Sequence, residues 1–212
     1  MLIRPFVIVA ILFSASLAKA DLIETFQIDG DAGDIASDTQ IFFKGGLVAD
    51  GVIFDATLTV TGSGNLNQIS SGMGVQGNNS DLVNEGEFLS FTMSISNVSG
   101  GTIMFQGFTE IDTNNFGSSD TGFLSIDSSA ATTADNDPIS GASNSPSFDL
   151  TSGTNVVNPT GFSIIAADGG SNSFRVDDVS AAFVGTAVPE PSAIGLLGPL
   201  ISLGLWRTRR RD

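Results

Sequence analysis

Carboxylates are the side chains with which this chain could do chemistry. Between residues 21 and 188 it has 21 acidic residues and two basic ones, Lys44 and Arg175, which gives a net charge of −19. The chain has no His and no Cys, so it cannot build a Ser–His–Asp triad, a Cys–His pair or the usual zinc sites. Calcium is the metal whose hard oxygen ligands this composition could supply, so a structural calcium ion is the one cofactor that we consider.

The charge also bears on partners. A field of this sign repels phosphate backbones, so we expect no nucleic-acid binding. Asp and Glu are plentiful enough for a glycosidase, but no carboxylate pair is marked by its spacing, and we expect no enzymatic activity. Sugar sites commonly use Trp or Tyr as platforms. The chain has no Tyr and its one Trp is Trp206, so only Phe could stack on a sugar ring here.

The stretch "FRVDDVSAAF" contains the first candidate calcium ligands, Asp177 and Asp178. Phe174 and Val176 share one parity of a strand, whereas Val179, Ala181 and Phe183 share the other. Either a β-bulge resets the register at the two acids, or one Asp points inward and needs a metal ion or hydrogen-bond donors. The stretch resembles the final strand of jelly-roll carbohydrate-binding modules. That resemblance implies a structural calcium held with an acid of the first strand, for which Glu24 in "LIETF" is the match.

Alternation of apolar and polar residues predicts the strands that must position these groups. In "GVIFDATLTVT" every second residue from Val52 to Val60 is apolar, and "EFLSFTMSISN" repeats the pattern from Leu89 to Ile95. The segments "LIETFQI", "TIMFQGFTEI", "GFSIIAA" and "NSFRVDDVSAAFV" read as further strands, and residues 128–147 read as a mobile loop. We predict an all-β fold, an antiparallel β-sandwich of jelly-roll-like type, over residues 21–187.

The N-terminus has the pattern of a secretory signal peptide. In "MLIRPFVIVAILFSASLAKA" one Arg precedes a short apolar run, and Ala18 and Ala20 fit the small-x-small cleavage rule. We therefore expect residues 1–20 to be removed and Asp21 to begin the mature protein. An uncleaved anchor helix is the alternative.

The C-terminus, "VPEPSAIGLLGPLISLGLWRTRRRD", combines three parts. A Pro-containing segment, 188–192, precedes an uncharged apolar run, 193–206, and an Arg cluster ends the chain. As a helix the run is about 21 Å long, so it needs flanking residues or a thinned bilayer to span the membrane. The arginines would keep the end on the cytoplasmic side. They are Arg207, Arg209, Arg210 and Arg211.

In order and spacing, these three parts resemble the PEP-CTERM sorting signal. Its motif residues here are Val188, Pro189, Glu190, Pro191 and Ser192. The resemblance implies that the tail is read by the membrane transpeptidase exosortase, and that the protein passes from an inner-membrane intermediate to the cell surface or to extracellular polysaccharide. Glu190 would then be a recognition residue of this substrate. A one-pass membrane anchor is the alternative.

A second calcium candidate lies in "GMGVQGNNSDLVNEGEFLSF", which resembles a Gly-rich loop and strand that recurs in PEP-CTERM proteins. Oxygen ligands there would come from Asn79, Asp81, Glu85 and Glu87, although a solvated acidic loop is the alternative.

Taken together, the sequence predicts an exported, non-enzymatic surface or matrix protein of a polysaccharide-producing Gram-negative bacterium. The alternative is a calcium-stabilised carbohydrate-binding module acting in the exopolysaccharide matrix.

Overall fold

A computed structural model gives the structure of the chain. It describes residues 21–76, 82–116, 121–125, 137–140, 147–150, 161–166 and 172–188. The predicted signal peptide, residues 1–20, and the tail from Pro189 onward, with its predicted membrane helix, lie outside the described residues. Within the described ranges, the structure has no helix of the length and apolar character needed to cross a membrane.

Fourteen β-strands make up the described structure. In chain order they are β1 (Asp21–Gln27), β2 (Gly33–Asp34), β3 (Thr39–Ala49), β4 (Val52–Gly62), β5 (Leu66–Ile69), β6 (Gly72–Val75), β7 (Val83–Asn84), β8 (Phe88–Ser99), β9 (Gly101–Asn114), β10 (Thr121–Ser125), β11 (Asp137–Ser140), β12 (Ser147–Asp149), β13 (Gly161–Ala166) and β14 (Ser173–Ala187).

The strands form two antiparallel sheets, so the predicted all-β class and sandwich-like layering are confirmed. One sheet is curled into a half-barrel. The first sheet has the order β12-β9-β14-β6-β5-β2, and β1 and β7 also pair with β14. The second has the order β11-β10-β13-β8-β4-β3. β14 therefore organises the first sheet, because it carries β9 along one edge and β7, β6 and β1 in turn along the other.

The core lies between the two sheets and follows the alternation of the sequence. Every second residue of β4 from Val52 to Val60 is fully buried. Phenylalanines from both sheets fill the middle: the Phe91 and Phe162 rings stack at 4.6 Å, and Phe54 lies 5.1 Å from Phe183 across the sandwich. Offset and tilted ring pairs of this kind add to the stabilisation from area burial.

A two-residue turn joins β3 to β4. Asp50 and Gly51 both have positive φ, 47° and 77°, and Ala49 pairs with Val52 on either side of them. This is the backbone of a type I′ hairpin turn, for which Asp-Gly is a favoured pair.

The apolar face of β14 switches at a β-bulge, as one of the two alternatives from the sequence predicted. Against β9, Val176 pairs with Thr113 and Asp178 pairs with Asp112, so Asp177 is the extra residue. Phe174 and Val176 are buried before the bulge, and Val179, Ala181 and Phe183 are buried after it.

The prediction of a loop over residues 128–147 was wrong in part. β11, at Asp137–Ser140, pairs with β10, and β12 begins at Ser147. β11 is the last strand of its sheet, where a proline such as Pro138 is tolerated because its missing N–H need not serve a second neighbour.

Candidate functional site

A lysine at the open side of the sandwich is the centre of the candidate site. Lys44 shares its strand face with Phe42, and both point between the sheets. Its ammonium forms an ion pair with Glu24 and donates a 2.6 Å hydrogen bond to the carbonyl oxygen of Thr25. It also lies 5.4 Å from the ring centroid of Phe26. Lys44 thus connects β3, the last strand of the second sheet, with β1 of the first.

A groove of about 360 Å³ follows this junction between β1 and β3. It is lined by Phe26, Gln27, Ile41, Phe42, Phe43 and Lys44. The rings of Phe43 and the side chain of Ile41 are 62% and 60% exposed, which is unusual for apolar groups of this size. The groove therefore combines the exposed Ile41 and Phe43 side chains of the outer face of β3 with the ammonium of Lys44 on the inner face, which is paired with Glu24.

Hydroxyl groups cover the outer face of the second sheet beside the groove. Seven of them lie with Ile41 and Phe43 in three rows in register across β3, β4 and β8: Thr39, Thr61 and Ser90; Ile41, Thr59 and Thr92; and Phe43, Thr57 and Ser94. Thr92 and Ser94 are exposed and the other hydroxyl residues are half-buried. Hydroxyls donate and accept hydrogen bonds without adding charge. This face is thus suited chemically to polyhydroxylated ligands.

Acidic side chains gather at the bulge in β14. Asp178 is opposite Asp112 in the pairing with β9. The carbonyl of Asp177 accepts a 2.8 Å hydrogen bond from the N–H of Ile28, which brings the neighbouring Asp29 to the same place. Like charges on opposed strand positions repel one another, so this arrangement costs stability unless a proton or a cation reduces the charge.

The pKa of Asp178 is raised to about 6, first by desolvation and then by the charges of Asp177, Asp112 and Asp29, while Lys44 opposes the rise. The pKa of Asp177 is raised for the same leading reason, with Asp29 and Asp112 adding to it. One oxygen of Asp112, Oδ1, is buried without a hydrogen-bond partner.

The structure separates Glu24 from the acids that the sequence grouped it with. Glu24 pairs with Ala181, three positions along β14 from Asp178, and its carboxylate is engaged by Lys44. Within the described residues, no three His, Cys, Asp or Glu side chains are grouped closely enough to hold a metal ion. The acids whose charges raise the pKa values of both Asp177 and Asp178 are instead Asp29 and Asp112.

The second candidate ligand, Glu87, has a role in a turn. Its Oε2 accepts hydrogen bonds from the backbone N–H and the side-chain amide of Asn84, at 2.8 and 3.0 Å. The N–H of Glu87 returns a 2.8 Å hydrogen bond to the carbonyl of Asn84. Asn79 and Asp81, the other proposed ligands of this loop, lie outside the described residues, whereas Glu85 forms a β-bridge to Ala166.

The predicted sorting motif begins at Val188, the last residue that the structure describes. β14 ends at Ala187, and the N–H of Val188 donates a 3.0 Å hydrogen bond to the carbonyl of Gly100. The other motif residues, the Arg cluster and the predicted cleavage residues Ala18 and Ala20 lie outside the described residues.

Sequence reasoning missed the partnership of Lys44 with Glu24 and the place of Asp112 beside Asp178. A signal existed for Lys44, because it shares strand parity with Phe42 and so had to point inward.

No protein family model, curated protein or solved structure matches this chain. Its function is therefore argued from its own residues.

Proposed function

We propose that this chain is an exported, non-enzymatic protein of the cell surface or extracellular matrix of a polysaccharide-producing Gram-negative bacterium, sorted through its C-terminal tail by exosortase. The observation that carries the proposal is the order of parts in residues 188–212: the Pro-Glu-Pro motif, the apolar run and the Arg cluster. Because proline restricts its own backbone and that of the residue before it, the two prolines are expected to favour an extended motif that a processing enzyme can reach. The absence of His and Cys from the sequence supports a role without nucleophilic catalysis.

Substitution of Glu190, the central residue of the motif, tests the role of the tail. In cells that contain exosortase, the wild-type protein should lose Trp206 and the Arg cluster and begin at Asp21, as intact mass measurement would show. Glu190→Ala should leave a membrane-held chain with the tail attached, whereas Ser202→Ala, within the apolar run, should be processed normally. Release of Glu190→Ala at the wild-type rate would mean that exosortase does not read this motif.

A calcium-stabilised carbohydrate-binding module is the second candidate, and the groove between β1 and β3 favours it. Phe43 supplies an exposed aromatic ring, and the Lys44–Glu24 pair supplies a fixed donor and acceptor for sugar hydroxyls. We include in this proposal a jelly-roll-like connectivity, which the pairing of the first long strand with the last supports.

Affinity electrophoresis in gels that contain neutral polysaccharides tests this second candidate. Phe43→Ala should weaken binding about tenfold, or about 1.4 kcal/mol. Val48→Ala removes a comparably exposed apolar side chain outside the groove and should leave binding unchanged. Equal retardation of wild type and Phe43→Ala, or none for any polysaccharide, would remove the saccharide role and leave the sorting proposal standing.

A further inference from the structure

Both ends of the folded domain lie at one pole. Asp21, the first residue of β1, pairs with Val184 near the end of β14. The end of β14 also lies against the β3–β4 turn, because a Cβ built on Gly185 would come within 2.0 Å of the carbonyl oxygen of Ala49. The chain before Asp21 and the chain after Val188 therefore depart from the same end of the sandwich.

Exposed apolar side chains surround this pole. Six of the eight large apolar residues that are exposed in the described structure lie here, and only Ile41 and Phe43 lie elsewhere. We name the six the apolar collar: Ile23, Val48, Ile53, Val98, Met104 and Val188.

Strand register places the collar residues within a few positions of this pole, with Ile23 opposite Ala182. Val48 pairs with Ile53, and Ile53 pairs with Ser99, next to Val98. On the other sheet, Met104 is opposite Val184. The collar thus includes residues of both sheets, which suits a broad surface better than a narrow ligand.

The tail holds the collar close to the apolar run. Val188 is fixed to Gly100 by its backbone hydrogen bond, so no slack chain precedes the motif. Four residues separate Val188 from Ala193, the first residue of the apolar run, so the two are at most about 18 Å apart when the chain is fully extended. If the run lies in a bilayer, the collar must lie at or near its surface.

We propose that the apolar collar rests on a zwitterionic lipid surface while the tail is in the membrane. This inference depends on the membrane-held intermediate of the proposed function. Transfer of apolar side chains from water to the interfacial region is favourable. The collar presents such side chains on two sides of the anchoring chain. Zwitterionic lipid is favoured because a domain of net charge −19 is repelled by anionic headgroups. The contact orients the domain, with the groove residues Ile41 and Phe43 set back from the membrane.

Site-specific fluorescence on the full chain tests the orientation. The chain has no Cys, so single substitutions accept one label each. Val48→Cys and Met104→Cys report on the collar, and Ile41→Cys and Phe43→Cys are matched controls of similar exposure. The labelled chains are reconstituted into phosphatidylcholine vesicles that carry a headgroup-attached quencher, and a parallel set contains phosphatidylglycerol.

Collar labels should be quenched at least twofold more than control labels, and the difference should shrink in phosphatidylglycerol. Equal quenching at all four positions in chains that float with the vesicles would overturn the inference but leave the membrane tail intact. Chains that fail to float would overturn the membrane-held intermediate, and the inference with it. Excimer emission from pyrene at Val48→Cys, in place of lipid quenching, would assign the collar to a second copy of the chain and overturn the lipid contact.

Discussion

The side-chain amide of Asn97 donates a 2.6 Å hydrogen bond to Oδ2 of Asp55, while Oδ1 of the same carboxylate accepts a 2.8 Å hydrogen bond from the N–H of Gly46. Each donor lies in a register shift, one where β4 pairs with β3 and the other where it pairs with β8. The carboxylate of Asp55, on β4, therefore accepts a hydrogen bond from a residue in each of the two register shifts. Bulges leave backbone groups unpaired, and Asp55 satisfies one of them directly.

Removal of this carboxylate should destabilise the fold and change its acid sensitivity. The Asn97 amide, and then the Gly46 N–H, lower the pKa of Asp55 below its usual 3.8. A lowered pKa in the folded state means that the stabilisation is present above the unfolded pKa and is lost as pH falls through the folded one. Asp55→Ala should therefore lower the melting temperature at pH 7, with a smaller deficit at pH 2. Asp31→Ala, at an exposed position, is the control, and equal melting curves for the two variants at pH 7 would argue against the role of Asp55.

The ionised carboxylate of Asp178 should destabilise the fold, which is the opposite of the effect expected for Asp55. Because its pKa in the folded state is raised to about 6, the folded state binds a proton more tightly than the unfolded state does. Stability is therefore highest below about pH 4 for this group and falls as pH rises through 6. The shift corresponds to about 3 kcal/mol for a fully desolvated group, and contact of Asp178 with solvent reduces the expected cost to about 1 kcal/mol.

Asp178→Asn should recover that cost. Urea unfolding at pH 7.5 should show the variant about 1 kcal/mol more stable than wild type, with the gap closing at pH 4. Asp31→Asn should follow wild type at both values. A gap that persists at pH 4 would point to a change in packing rather than in charge.

Calcium should raise the melting temperature more than magnesium does. Crowded carboxylates suit the larger and more flexible coordination shell of calcium, and a hundredfold excess over the dissociation constant would add about 2.7 kcal/mol. Asp177 and Glu87 are candidate ligands from the sequence, so Asp177→Asn or Glu87→Gln should remove the calcium-specific part of the rise in melting temperature. Asp29→Asn should act like Asp177→Asn, because Asp29 raises the pKa of Asp177 by its charge. Equal shifts with both metals, unchanged in every variant, would mean general screening of an acidic surface.

Gly185→Ala should disturb the pole where the chain ends meet. The new Cβ would lie 2.0 Å from the carbonyl oxygen of Ala49, and backbone atoms cannot move aside cheaply. We expect a loss of about 2–3 kcal/mol in the free energy of unfolding. Gly64→Ala is the matched control, since its nearest neighbour is a methyl group of Val75 at 3.3 Å. Similar unfolding midpoints for the two variants would contradict the close approach.

Local alternation predicted the long strands because each buries one face, as the full burial of alternate residues in β4 illustrates. It failed at β5, where Asn67 and Gln68 look like loop residues yet are buried. Gln68 is tolerated there because its amide donates a 2.7 Å hydrogen bond to the carbonyl of Ile28, forty residues away. No local pattern contains that partner, and the same is true of Lys44 with Glu24.

The candidate site was predictable only at the bulge. The parity switch at Asp177 is visible in the sequence, since a buried face cannot change sides without an extra residue. Which acids gather around it depends on how β1, β9 and β14 align, and two further register shifts between β9 and β14 hide that alignment from the sequence.

The pairing of β1 with β14 has a consequence for the order of events in folding. The hydroxyls of Thr25 and Ser180, which meet at 2.8 Å, are 155 residues apart in the chain. Closing so large a loop is entropically costly, and contacts of high sequence separation slow folding. β6, β7 and β9 also pair with β14, so the first sheet is incomplete until β14, the last strand in the described ranges, has been synthesised. For a chain exported as we propose, this topology delays folding and so favours the unfolded form that a narrow translocation channel accepts.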